Sequence, residues 1–357
     1  MKKIIIACFI TPHGFGHATR MTAVLEALQK ILPEIHPQLF TTVPESLFAE
    51  TLSNFSYHSL ACDVGLIQKT SLQTDLPATI SRLQEFLPFN NSLIQKLSEK
   101  ITDCNLVLCD IAPLGIAVAQ KAGITSVLIE NFTWDWIYKA YLPRHPGLLP
   151  FIKAFSAHYG HADLHIRTEP SCSSGKVSLT CGPIFRCIRT QRSTIRKKLN
   201  CQHKRMVLIT MGGIDLELPF VNRLPAIPDT IFLLAGQQET RQFADNVLLL
   251  SRESDFYHPD LINAADLVVC KSGYSTVAEC FQAGVPIITV GRDTFPESAI
   301  LEQFCNTELN GQTCRQKKFL SGEWLNSLDQ LCSGHRTTPA QINGADTVAK
   351  QLLHHLP

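Results

Sequence analysis

Short apolar runs alternate along the chain with stretches whose apolar residues recur every three or four positions, the pattern of parallel βαβ units. Residues 4–10 read as a first buried strand. Ala18, Met21, Leu25, Leu28 and Leu32 then fall on one helical face, which Pro33 ends. Residues 38–42, 106–109 and 126–129 are further strands, with a helix over 114–121, closed by Gly123, between the last two. A second series starts with a strand over 206–210, turns at Met211, Gly212 and Gly213, and continues with strands over 231–234, 246–250, 267–270 and 286–290. A helix over 275–283, closed by Gly284, joins the last two, and residues 340–353 look helical.

Two α/β series in tandem predict two domains, as expected for 357 residues. Turn residues over 181–193 mark the linker and give domains 1–188 and 189–357, with the last helix free to pack back on the first. Arg189, Arg192, Arg196, Lys197 and Lys198 follow the linker without an apolar period and read as a solvated helix face.

Composition narrows the function classes. Apolar residues make up 45%, charged residues 18%, and the net charge is +1, so no global field favours nucleic acid or an anionic membrane. The thirteen cysteines include no Cys-x-x-Cys pair, and Cys8, Cys109 and Cys270 lie inside apolar runs, which predicts free thiols, a reducing cytoplasmic setting and no structural zinc. Lys2 and Lys3 before an apolar run imitate a secretory leader, but a glycine turn follows where a cleavage site belongs, so a strand is expected. No run reaches the ~18 apolar residues of a membrane span.

Three constellations carry candidate chemistry. His13, Gly14, Gly16 and His17 follow the first strand, where glycines let the backbone approach a ligand beside free helix N–H groups. His17 there is a candidate general base, the alternative being that both histidines only cap the turn. Lys271, Ser272, Gly273, Ser275, Thr276 and Glu279 follow the strand 267–270. Ser275 or Thr276 suits the helix start, whose N–H groups fit a diphosphate, with Lys271 adding charge and Glu279 one turn in to hold a ribose diol. A capping box from Thr276 to Glu279 is the alternative. Gly212, Gly213, Asp293 and Glu297 join this donor site because carboxyl ends of parallel strands share one crevice, Asp293 and Glu297 suiting sugar hydroxyls or else being solvated loop acids, and His258 is a further donor-site candidate. Trp134, Asp135 and Arg144, with Asp110 at the end of its strand, form a candidate acceptor pocket after 126–129, against core packing of the aromatics or a membrane-surface role for 134–155. His158, His161 and His165 have metal-like spacing, but Gly160 interrupts the helix and no metal is expected.

The run from His13 to Arg20 closely resembles the opening motif of the glycosyltransferase-like N-terminal domain of L-arabinokinases. The likeness continues through residues 130–138, 161–167, 211–213, 260–266, 273–279 and 292–297. Residues 265–279 and Gly16-His17 more distantly resemble the peptidoglycan N-acetylglucosaminyltransferase that makes lipid II. These resemblances imply an α/β GT-B fold, two Rossmann-like domains with parallel sheets facing a cleft, the donor on the C-terminal domain and the acceptor on the N-terminal one. They imply a nucleoside diphosphate-sugar donor, read as a UDP-sugar, with Glu279 on the ribose, Ser275 and Thr276 on the diphosphate, His17 near the reacting hydroxyl, and no cofactor. The sugar-kinase half of arabinokinases lies beyond Pro357, so kinase activity is not carried over. A non-catalytic nucleotide-sugar sensor and a nucleotide-sugar epimerase are the rival readings.

Overall fold

A computed structural model describes residues 4–212 and 217–357; Gly213, one of the donor-site candidates, lies outside the described residues. The chain forms two compact units. One contains residues up to Ile67, Thr74–Phe185 and Ile342–Pro357; the other contains Gln68–Gln73 and Arg186–Gln341.

The first unit is built on seven parallel strands in the spatial order Ser56–Ser59, Ile35–Thr41, Ile4–Ile10, Leu106–Asp110, Ser126–Glu130, Leu164–Thr168 and Leu179–Cys181. The order runs back from Ile4–Ile10 to one edge and then forward from Leu106–Asp110 to the other. Its topological switch point therefore lies between those two strands. Ile4–Ile10 and Leu106–Asp110 are almost wholly buried, as expected of strands covered on both faces. The helix Gly16–Ile31 packs Ala18, Met21, Val24, Leu25 and Leu28 onto one face with Ile6, Cys8, Leu108 and Ile129. The C-terminal helix Gly344–Leu353 adds Ala345, Val348, Ala349 and Leu352 to the same core, so the tail belongs to the first unit.

The second unit repeats the plan. Its strands lie in the order Arg241–Ala244, Val247–Ser251, Thr230–Gln237, Arg205–Thr210, Leu267–Lys271, Ile287–Val290 and Gln312–Cys314, parallel except for the antiparallel edge strand Arg241–Ala244. The switch point falls between Arg205–Thr210 and Leu267–Lys271. The helices Pro113–Ala122 and Tyr274–Ala283 end at Gly123 and Gly284 in the left-handed conformation, where both glycines were read as helix stops.

The basic cluster departs from its reading as a solvated face. Arg192 and Arg196 lie on the helix Arg192–Lys198 and turn inward onto the Asp266 carboxylate, while Lys197 and Lys198 stay exposed. Asp266 also accepts from the Met206 amide, so two arginines anchor this helix where the strands Arg205–Thr210 and Leu267–Lys271 begin.

Gly115 shows how tightly the first unit is packed, since a Cβ there would sit 2.6 Å from the Phe9 ring and 2.7 Å from Cys109 Sγ. Gly115→Ala is expected to destabilise the protein by about 1–3 kcal/mol in urea unfolding through overpacking. Gly160→Ala, where the new methyl meets nothing within 4 Å, should be neutral or slightly stabilising. Equal effects of the two changes would contradict this packing.

Candidate functional site

The glycine loop leaves the first strand at the switch point of the first unit. Its helix opens at Gly16 with Phe15 as N-cap, no side chain capping it and no acid in the first turn, so early backbone N–H groups stay open. His17 lies in that first turn and is buried, and its Nδ1 is 2.9 Å from Asp110 Oδ1. Asp110 ends the neighbouring strand across the switch point and is wholly buried.

Burial alone would raise the Asp110 carboxyl, but Arg20, by its charge and its hydrogen bonds, together with His17, holds it below the usual carboxylate range. Arg20 donates Nε–H to Oδ2 at 2.8 Å and Nη2–H to Oδ1 at 2.6 Å, a two-pronged pair, and its Nη1 donates to Asn131 Oδ1 at 2.6 Å. An ionised carboxylate can only accept, so the Nδ1 facing it carries the proton and Nε2 is left as the basic nitrogen. Arg20 Nη2 also lies 3.1 Å from His17 Nδ1, but it cannot donate to a protonated nitrogen, and Asp110 is its partner.

This geometry corrects the acceptor assignments. Both Asp110 oxygens are bonded within the protein, to Arg20 and His17, so this buried carboxylate offers no surface to an acceptor. Trp134 is fully buried: its Nε1–H donates to Asp63 at 2.9 Å, and its ring meets His13 edge-on at 5.0 Å and Phe132 at 5.3 Å. Core packing therefore accounts for the aromatic stretch. Asp135 is buried and accepts from Ser156 at 2.6 Å and Lys139 at 3.3 Å. Arg144 is exposed, His13 is half-buried, and Gly14 turns the loop with φ 74°. The three histidines do not assemble. His158 packs its ring on Phe89, His161 caps its helix, and His165 bonds Glu130 at 2.8 Å. Among the described residues no group of three or more His, Cys, Asp or Glu is arranged around a common metal position.

In the second unit the switch point brings Gly212 beside Lys271. A Cβ on Gly212 would lie 2.8 Å from Lys271 Cε and 2.9 Å from Nζ, and φ is 78°, so only glycine lets the ammonium cross this strand end. Burial pulls the Lys271 ammonium down to about 7, the Arg292 charge adds to that, and Glu297 opposes it. The helix Tyr274–Ala283 begins one residue earlier than expected, with Gly273 as N-cap. Neither Ser275 nor Thr276 caps it; both are half-buried in its first turn, and the capping box with Glu279 is not formed. The first-turn N–H groups and Lys271 thus open on the same strand end.

Glu279 is buried, with Oε1 accepting from Arg186 Nε at 2.9 Å and Oε2 2.9 Å from His258 Nδ1. Burial opposes ionisation, yet Arg186 and His258 hold this carboxyl below its ordinary value. It clamps two neighbours instead of presenting a free pair of acceptors for a ribose. Ser272 is also structural: fully buried, it bonds Val290 O at 3.3 Å and Glu302 at 3.0 Å. Glu297 is buried 3.5 Å from Arg292, while Asp293 is exposed. Asp293 therefore has its carboxylate open to solvent, whereas Glu297 is turned to Arg292.

Arg20, Arg186 and Arg292 are the residues that the sequence reading passed over. Arg20 was within reach, being one helical turn from His17 on the same face. Arg292 donates to Ser272 O at 2.7 Å and stacks on Phe295, with its guanidinium carbon 3.9 Å from the ring centre. Arg186 meets Glu279 from 93 positions away, and no local pattern announces such a pair.

Comparison with known proteins agrees with this architecture. Residues 230–325 match the glycosyltransferase family 28 C-terminal domain. L-arabinokinase of Arabidopsis thaliana is 26% identical over 98% of this chain, which spans 34% of the relative's length. Among solved structures, a UDP-glucosyltransferase from Polygonum tinctorium aligns with TM-score 0.63 at 13% identity, covering 99% of this chain and 98% of its own. MurG of Acinetobacter baumannii aligns with TM-score 0.55 at 15% identity, covering 99% of both chains.

Removing Arg20 leaves Asp110 an uncompensated buried charge, so Arg20→Met should cost about 3–5 kcal/mol in urea unfolding at pH 7. Because the Asp110 carboxyl is held low in the folded state, its contribution is present above the unfolded value of about 3.9 and is lost as the pH falls through the folded one. Asp110→Asn should therefore weaken the acid-side fall in thermal midpoint seen in the wild type; an unchanged acid profile would contradict the pairing. Two Rossmann-like domains built on largely parallel sheets give the chain the GT-B fold, and residues 230–325 of the second match the glycosyltransferase family 28 C-terminal domain.

Proposed function

We propose that this protein is a glycosyltransferase that moves a sugar from a nucleoside diphosphate donor, read as a UDP-sugar, to an acceptor hydroxyl with inversion. The observation that carries the reading is the Asp110–His17 pair, which leaves Nε2 as a base at the switch point of the first domain. In the proposed step the acceptor O–H gives its proton to His17 Nε2 while the oxygen attacks the anomeric carbon. The bond from that carbon to the β-phosphate oxygen breaks, and the electron pair leaves with the diphosphate. The second domain supplies the stabilisation of that charge through the N–H groups at the start of Tyr274–Ala283 and through Lys271. With these groups neutralising the leaving group, the reading calls for no metal or other cofactor.

Several further features support it. The family 28 module covers the strands and helix that carry Lys271 and Glu279. The thirteen cysteines are free thiols, which fits a reducing cytoplasmic compartment, and among the described residues no helix is long and apolar enough to cross a membrane. Glu279, with both oxygens engaged, orients Arg186 and His258 at the nucleotide site.

His17→Ala should lower transfer by about 10²–10⁴-fold while calorimetric titration shows nucleotide binding retained. Unchanged transfer would remove the base assignment, and binding without any transfer in the wild type would favour a nucleotide-sugar sensor. Deprotonating Lys271 removes a cation from the diphosphate site. UDP affinity should thus fall as the pH rises from 7 to 9, by up to about 10-fold per unit, and Lys271→Met should flatten the profile. A wild-type affinity independent of pH over that range would contradict the role of Lys271.

A further inference from the structure

Residues 60–67 run without regular secondary structure beside the glycine loop of the first domain, and hydrogen bonds tie them to it, among them one from Leu66 N–H to His13 Nδ1 at 3.4 Å. Asp63 is buried; its Oδ1 accepts from Thr11 Oγ1 at 2.6 Å and its Oδ2 from Trp134 Nε1 at 2.9 Å. Gly65 O accepts from the Tyr138 hydroxyl at 2.7 Å. A Cβ on Gly65 would lie 2.9 Å from His13 Nδ1, so the histidine ring rests directly on this backbone. Thr11 is the first residue after the opening strand, where the loop with His13, Gly14 and Gly16 begins. Trp134 is the other end of the linkage, packed on His13 and on Phe132, whose ring lies edge-on to His17 at 5.6 Å.

One carboxyl therefore joins the start of the glycine loop to the aromatic wall beside the histidine assigned as base. We propose that Asp63 is a positioning residue that sets the geometry of the glycine loop and of the wall behind His17, and that its ionisation tightens that link and its protonation loosens it. The consequence for catalysis rests on the proposed role of His17; the link itself does not.

The surroundings make this carboxyl responsive near neutrality. Burial raises it to about 7, against the hydrogen bonds from Thr11 and Trp134 and together with the Asp110 charge. The titratable groups facing it are Asp110, Cys62, Tyr138 and Tyr159, with the His13 ring edge-on to Trp134 and bonded by Leu66 N–H. Cys62, Tyr138 and Tyr159 are all pushed up by burial and stay neutral through this range, so Asp110 supplies the fixed charge. When Asp63 ionises, the indole N–H gains a charged acceptor; when it is protonated, that bond weakens.

The test uses the intact chain and needs no sugar substrate. Tryptophan fluorescence is titrated from pH 5 to 9, with the signal of Trp134→Phe subtracted to isolate Trp134 from Trp136 and Trp324. The expected result is an inflection near 7 that vanishes in Asp63→Asn and survives in His13→Gln. Asp63→Asn keeps both hydrogen bonds, since its amide oxygen accepts from Trp134 and its NH₂ donates to Thr11, so it should fold as the wild type does. Carbethoxylation of His17, followed by peptide mass spectrometry, reports the loop itself. Asp63→Ala should react about 10-fold faster than wild type, and Asp63→Asn should restore the wild-type rate at low pH. An inflection that persists in Asp63→Asn, one lost only in His13→Gln, or His17 reactivity equal in wild type and Asp63→Ala would each overturn the proposal. None of these outcomes depends on whether the protein transfers a sugar.

Discussion

A carboxylate at the end of a buried parallel strand has to be neutralised within its own domain, and the way Asp110 meets that demand organises the first half of this protein. Arg20 takes both oxygens, and its Nη1 donates to Asn131. What is left of the carboxylate's accepting capacity faces His17 and selects the tautomer of its ring. A helix, the end of one strand and the loop after the next strand, far apart in sequence, thereby become one unit. Desolvation makes the arrangement costly to break, because each member removed leaves another charge or dipole buried without its partner.

The second domain follows the same logic with different chemistry. Glu279 lies within its domain as Asp110 does, paired with an arginine and a histidine. Here the helix entrance itself, uncapped at Gly273, remains available, and the cation beside it is a lysine that crosses Gly212. In both halves the candidate residues lie at the switch point, where strands diverging to either side leave a crevice at their carboxyl ends. The recurrence follows from doubly wound topology more than from any likeness between the two loops.

The strands that build the sheets were legible because burial on both faces writes them as unbroken apolar runs, as in Ile4–Ile10 and Leu267–Lys271. Gly123 and Gly284 were legible as helix ends because the left-handed position they occupy suits few other residues. Edge strands such as Ser56–Ser59 and Leu179–Cys181 were not, being short and only partly buried. The partners of the buried acids were hidden for another reason: Arg20 and Asp110 are 90 positions apart, and long-range pairing leaves no periodic trace. Trp134 and its neighbours show the converse error, in which a chemically suggestive cluster turns out to be core. Asp110 and Glu279 show a third, where the right residue types were found but their oxygens are occupied by the protein itself.

The claim on which the functional account most depends is that the second domain receives a diphosphate at its switch point. A crystal structure of the full chain with UDP tests it directly. The account predicts phosphate oxygens on the N–H groups of Tyr274, Ser275 or Thr276, within hydrogen-bond reach of Lys271 Nζ. A well-ordered nucleotide bound elsewhere, with this helix entrance left to solvent, would contradict it.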